Sequence, residues 1–242
     1  MAKVAKKAAK KAIAKKKPVK SKKPAKAPVA SGDKQRFTLH GTMTSGPSYT
    51  VGLMLSLCRH PYSYIHVNLR EGQHKQPDYL VKNRYGQVPA LRDGQLFLVQ
   101  SAAILEHLAE TLKKFDGKTP LEKIRIREWL FWQWDKLSVP LLRLRARNRG
   151  FRQFGDEVRT MYDTEAKAAL AVIEQELGKS EWIVGKKPTI ADIGIYAVVR
   201  YAPEAMIDLT PYPNIVAWKK RIEAMPGFGT PEQILPMESR LL

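Results

Sequence analysis

The chain has 242 residues, 44% of them hydrophobic, which suits one or two domains with a real core. One cysteine, Cys58, excludes an internal disulfide and fits a reducing compartment. The formal charge of +19 is split unevenly, with 13 Lys and one Asp putting +12 on residues 1–34; no window of 18 uncharged apolar residues exists, so a spanning helix is not expected.

Residues 1–34 are low-complexity Lys/Ala/Pro sequence, KKAAKKAIAKKK followed by KPVKSKKPAKAPVASG. They resemble the basic tails of linker histones and bacterial histone-like proteins. Like charges repel and no apolar stretch can organise a core, so disorder is expected. The lysines can neutralise the phosphates of DNA or RNA without reading sequence. The plainer alternative is a solvated tail that keeps the protein soluble. A secretory signal is not expected, since there is no apolar h-region, and a mitochondrial presequence is disfavoured by the absence of arginine.

Residues 35–112 read as the first folded unit. A short strand at residues 37–40 leads to a Gly/Thr/Ser loop at 41–47 and an apolar helix at 49–57. Pro61 follows the end of that helix, because proline cannot continue it. A second strand is expected at 64–68 and a short helix at 78–82. Val88-Pro89-Ala90-Leu91 is short and β-prone, and Pro89 belongs at a strand start or edge. Asp93-Gly94 is a hairpin signal, and residues 96–99 return. Gln100-Ser101 interrupts the apolar run; Ser101 is a good N-cap for a helix over 102–111, with Ile104, Leu105 and Leu108 on one face. The order is βαβαββα.

Residues 119–242 read as all-helical. A helix over 121–137 carries Trp129, Trp132 and Trp134, and Val139-Pro140 is expected to bend or break it. Arg143, Arg145, Arg147 and Arg149 make the next stretch basic. A helix over 156–177 ends at Gly178. Thr189-Ile190-Ala191-Asp192 is a capping-box start, and a last helix covers 214–224.

Across residues 36–230 these motifs resemble the glutathione transferases, of the serine type with delta- and theta-like features. The resemblance implies a thioredoxin-like α/β domain (35–112) that binds glutathione, an all-α helical domain (119–242), and a homodimer in the cytoplasm. Val88-Pro89 matches the family's cis-proline turn, whose Val88 backbone would pair with the cysteinyl unit. Ser101 would bind the γ-glutamyl carboxylate at a helix N-terminus, and Gln100, where the family more often has Glu, the γ-glutamyl amine. His74 and Gln87 fall where side chains meet the glycine carboxylate. For His74 the plain alternative is exposed polar surface.

The thiolate donor is expected in the loop Thr44-Ser45-Gly46-Pro47-Ser48. A free thiol titrates at roughly 8.5, and a hydroxyl donor beside a helix N-terminus lowers that value. Alignment of Pro47 puts Ser45 at the catalytic serine. Thr44 and Ser48 are alternates, and plain N-capping is the competing role for the serines. Trp129, Trp132 and Arg143 are candidates to line the pocket for a small electrophile, but for the tryptophans, at i and i+3, core or dimer surface is the stronger reading and they are not taken as site residues. No metal site is expected from five scattered histidines and one cysteine. Transferase-like domains also serve as non-catalytic modules in translation and transcription complexes. The basic tail favours that alternative, while Val88-Pro89, Gln100-Ser101 and Ser45 favour the enzyme; a histone-like tail on a transferase suits a bacterial cytoplasm or nucleoid.

Overall fold

The computed structural model describes residues 35–241, so the expectation of disorder in residues 1–34 lies outside the described residues. Strand β1 (Phe37–Gly41) is wholly buried. β2 (Ser63–His66) pairs parallel to it, and β3 (Ala90–Asp93) pairs antiparallel on its other side. β4 (Leu96–Val99) returns from the Asp93-Gly94 turn, where Gly94 has φ of +58°. The mixed sheet has the order β2-β1-β3-β4. Arg240 pairs with Tyr64 through N–H···O bonds of 2.6 and 2.7 Å, which occupies backbone groups of β2 on its outer side.

Helix α1 (Gly46–Leu57) joins β1 to β2, the short α2 (Pro77–Leu80) precedes β3, and α3 (Ser101–Leu112) follows β4. This is the expected βαβαββα order. α1 starts three residues earlier than the apolar run implied. Ser45 caps it and Pro47 sits in its first turn, where a missing N–H costs nothing.

The rest of the described chain is helical, with no strand among its named elements: α4 (Pro120–Trp132), α5 (Val139–Asn148), α6 (Asp156–Leu177), α7 (Ile190–Val199), α8 (Pro213–Glu223) and the short α9 (Pro231–Ile234). The expected bend at Pro140 is replaced by a π-helical segment, Gln133–Ser138, that carries α4 into α5. Pro140 lies just beyond the point where the ladder changes register, in the first turn of α5, so its missing donor is tolerated.

All ten residues of α7 are buried, and α1 packs against it. The Thr189 hydroxyl accepts from the Ala191 N–H, and the Asp192 carboxylate accepts from the Thr189 N–H at 2.8 Å. Asp192 also accepts from the Ile183 N–H at 3.0 Å and from Trp218 Nε1 at 2.9 Å. Burial pushes the Asp192 carboxyl up, and these donors oppose the shift. The Trp218 side chain is fully buried, which contributes about 5 kcal/mol at ~25 cal/mol per Å². α1 and α3 both pack against α7, which joins the helices of the sheet domain to the helical half.

Candidate functional site

The turn before β3 is built from its carbonyls outward. The Val88–Pro89 bond is cis. Tyr79 Oη donates to the Gln87 carbonyl at 2.8 Å, and Asn83 Nδ2 donates to the same carbonyl at 2.6 Å and to that of Pro89 at 3.2 Å. Lys75 Nζ donates to the Gly86 carbonyl at 2.8 Å. With its neighbours held, half-buried Val88 keeps both backbone groups without a hydrogen-bond partner among the described residues. It therefore presents one donor and one acceptor, the pattern an added strand requires.

The start of α3 differs from the expectation. Gln100, not Ser101, occupies the N-cap position, with φ of +68°, ψ of 110° and no side-chain capping bond. Such a conformation costs a non-glycine residue of order 1–3 kcal/mol and clusters at functional sites. Ser101 thereby becomes the buried first helical residue. The first-turn amides have no capping acceptor and form an anion-attracting end.

Opposite lies the start of α1. The Ser45 N–H donates to the Thr42 carbonyl at 3.1 Å, and Ser45 Oγ accepts from the Ser48 N–H at 3.2 Å. A hydroxyl that accepts this bond still has its proton to donate. Buried Arg145, on α5, donates from Nη1 to the Thr44 carbonyl at 2.7 Å and from Nε to Glu204 at 2.9 Å. Its guanidinium carbon lies 3.7 Å from the Tyr201 ring centroid. A fixed positive charge thus backs the hydroxyl loop.

These elements surround a cleft of about 1120 Å³. Thr44, Ser45, His74, Gln87, Val88, Gln100 and Ser101 all line it. Ser48 does not: it is fully buried, and its Oγ has no partner among the described residues. His74 is half-buried with Nδ1 enclosed and unpartnered; burial first, then neighbouring Lys75, lowers its pKa and keeps the ring neutral at pH 7.

The pocket candidates on the helical side fall differently. Trp129 and Trp132 pack against the main core, their rings edge to face at 5.0 Å, and Arg143 lies off the cleft. Trp134, Leu142, Arg145, Arg149 and Phe151 line it instead. The π-helical stretch sets the direction of Trp134, and a 3.6-residue period cannot reveal it. Asn83 was also missed; its signal was the turn sequence Asn83-Arg84-Tyr85-Gly86, whose first residue braces its own loop.

Two family models match the chain: the glutathione S-transferase N-terminal domain over residues 36–110 and the glutathione S-transferase C-terminal domain over 149–226. The disulfide-bond oxidoreductase YfcG of Escherichia coli is 29% identical over 75% of this chain and 87% of its own. A glutathione S-transferase of Silene vulgaris is 28% identical over 78% of this chain and 94% of its own. The crystal structure of a glutathione S-transferase from Xanthobacter autotrophicus superposes with a TM-score of 0.75 at 30% identity, covering 83% of this chain and 97% of that one.

Proposed function

The chain belongs to the glutathione S-transferase family, and on that premise we propose that it activates the glutathione thiol for conjugation to, or reduction of, a small electrophile. The observation that carries this reading is the convergence of Ser45, Val88 and the uncapped start of α3 on one cleft. The residues fit the tripeptide: among the described residues the Val88 backbone donor and acceptor have no partner, His74 lines the cleft, and Ser101 opens a helix whose first amides have no side-chain cap.

In this reading Gln87 and His74 bind the glycine carboxylate, and neutral His74 donates a hydrogen bond to it. Val88 pairs with the cysteinyl unit, and Gln100 and Ser101 hold the γ-glutamyl end. Ser45 donates its hydroxyl proton in a hydrogen bond to the thiolate, assisted by the α1 N-terminus and by Arg145 behind Thr44. Each unit by which the thiol pKa falls requires about 1.4 kcal/mol, within reach of a charge-assisted hydrogen bond. Thr44 is the alternate donor that also faces the cleft.

Conjugation and disulfide reduction share this thiolate, so a transferase and a disulfide-bond oxidoreductase among the relatives both fit. A cytoplasmic homodimer accords with the family. Calorimetric titration with glutathione tests the reading. A dissociation constant below about 1 mM supports it, and Gln100→Ala with Ser101→Ala should weaken binding at least tenfold. No heat and no retention on glutathione resin would favour a non-catalytic module.

The charge split supports an additional proposal, that residues 1–34 bind nucleic acid without sequence preference.

A further inference from the structure

We propose that the second-substrate end of the cleft selects a flat, apolar electrophile bearing a carboxylate, with Arg149 and Arg70 as its specificity-determining residues. The inference rests on the transferase reading and extends it to the class of acceptor.

The first observation is a charge imbalance. Among the described residues, four permanently basic side chains line the cleft and no Asp or Glu does. Two of the four have structural uses: Lys75 holds the Gly86 carbonyl, and Arg145 holds the Thr44 carbonyl. Arg149 donates from Nη1 to Glu204 Oε2 at 2.8 Å, the same oxygen that Arg145 Nε reaches at 2.9 Å. One carboxylate therefore serves two guanidiniums. Arg70 has no acceptor for its guanidinium among the described residues, only a backbone N–H bonded to Asn68.

The second observation is an aromatic ring that both cations approach. Arg70 lies 5.4 Å and Arg149 5.8 Å from the Phe151 ring centroid. Phe151 is held there by the end of α5. Gly150, with φ of +73°, donates to the Arg147 carbonyl, and the Phe151 N–H turns back to the Ala146 carbonyl at 2.8 Å. Phe151 is 49% exposed, so it is a platform and not core. Trp134 and Leu142 continue the apolar lining. A ring with two guanidiniums beside it suits a planar acceptor with an anionic substituent, because guanidinium both stacks on aromatics and bonds carboxylate bidentately. Neither arginine is required by the tripeptide contacts proposed above.

The probe pair is 4-chloro-3,5-dinitrobenzoate and its methyl ester, used with the full chain. In both reactions the glutathione sulfur forms a bond to the chlorinated ring carbon, the C–Cl bond breaks, chloride leaves with its electron pair and the thiol proton goes to solvent. Each kcat/KM is divided by the uncatalysed rate constant at the same pH. The expected acid-to-ester ratio is about tenfold or more, the scale of one charge-assisted contact, and Arg149→Gln and Arg70→Gln each move it toward one. A ratio of one in the parent overturns the proposal. So does a loss of glutathione affinity in either variant as large as the loss with the acid, because the arginines would then serve the tripeptide. The acid and ester are also titrated without thiol. An Arg149-dependent preference for the acid in a chain that does not bind glutathione would overturn the transferase reading and sustain the anion site.

Discussion

Ser45 and Ser48 share one helical turn yet have opposite surroundings. Ser45 Oγ lines the cleft, while Ser48 Oγ is enclosed so closely that a Cβ on Gly41 would lie 2.9 Å from it. Ser45→Ala should lower kcat/KM with glutathione by roughly 10- to 1000-fold and remove a cap at a cost of about 1 kcal/mol. Ser48→Ala should leave turnover within about twofold and cost no stability, because a buried unpaired hydroxyl contributes no hydrogen bond. Steady-state kinetics and urea unfolding of both variants check this; undiminished activity in Ser45→Ala with a loss in Thr44→Ala would move the donor to Thr44. The residue types of this loop were legible in the sequence because a hydroxyl cluster before a helix has a chemical use. What sequence could not rank was burial. Nor could it reveal Arg145, which supports the loop from 101 positions away.

Asp93 ties three elements together. It closes β3, accepts from Arg36 just before β1 at 2.8 and 2.9 Å, and lies 2.8 Å from His107 Nε2 on α3. The Arg36 hydrogen bonds first, then His107, hold its carboxyl below the usual carboxylate range against partial burial. A depressed folded pKa gives stability that is complete above the unfolded value, about 3.9, and disappears as pH falls through the folded value. Asp93→Asn should therefore lower the urea midpoint at pH 7, and its gap from the parent should close below about pH 4. A gap that persists undiminished at pH 2 would assign the effect to packing instead. Elements with a strong local cause were legible: the Asp93-Gly94 hairpin, the Thr189–Asp192 box, and α6 to its Gly178 end. The start of α3 and the π-helical join were not. Gln100 takes a positive φ that serine-capping statistics do not anticipate, and the π-turn depends on how Gln133 packs, with Oε1 only 2.6 Å from where a Cβ on Gly194 would stand.

At the scale of the molecule, charge separates the two ends of the chain: +12 on residues 1–34 and +7 over the remainder. The other basic segment, residues 143–149, is half neutralised, with two carboxylates set against its four arginines. Arg145 and Arg149 pair with Glu204, and Arg147 pairs with Asp156 at 3.0 Å. Nucleic-acid affinity should therefore reside in the lysine segment. That segment has no aromatic residue for stacking and no arginine for bidentate base reading, so duplexes of different sequence should bind alike. Each phosphate it neutralises on duplex DNA adds about 0.9 to the slope of log affinity against log salt; engagement of a few lysines gives a slope of several. Gel-shift titrations at two salt concentrations should show steep weakening for the full chain and little binding for a chain beginning at Gln35. That shortened chain should retain its turnover with glutathione, because it keeps every cleft-lining residue among the described ones, the first of which is Thr42. Equal affinity of the two chains would move the nucleic-acid site to the folded part, where Arg143, with no ion pair among the described residues, is the first residue to substitute.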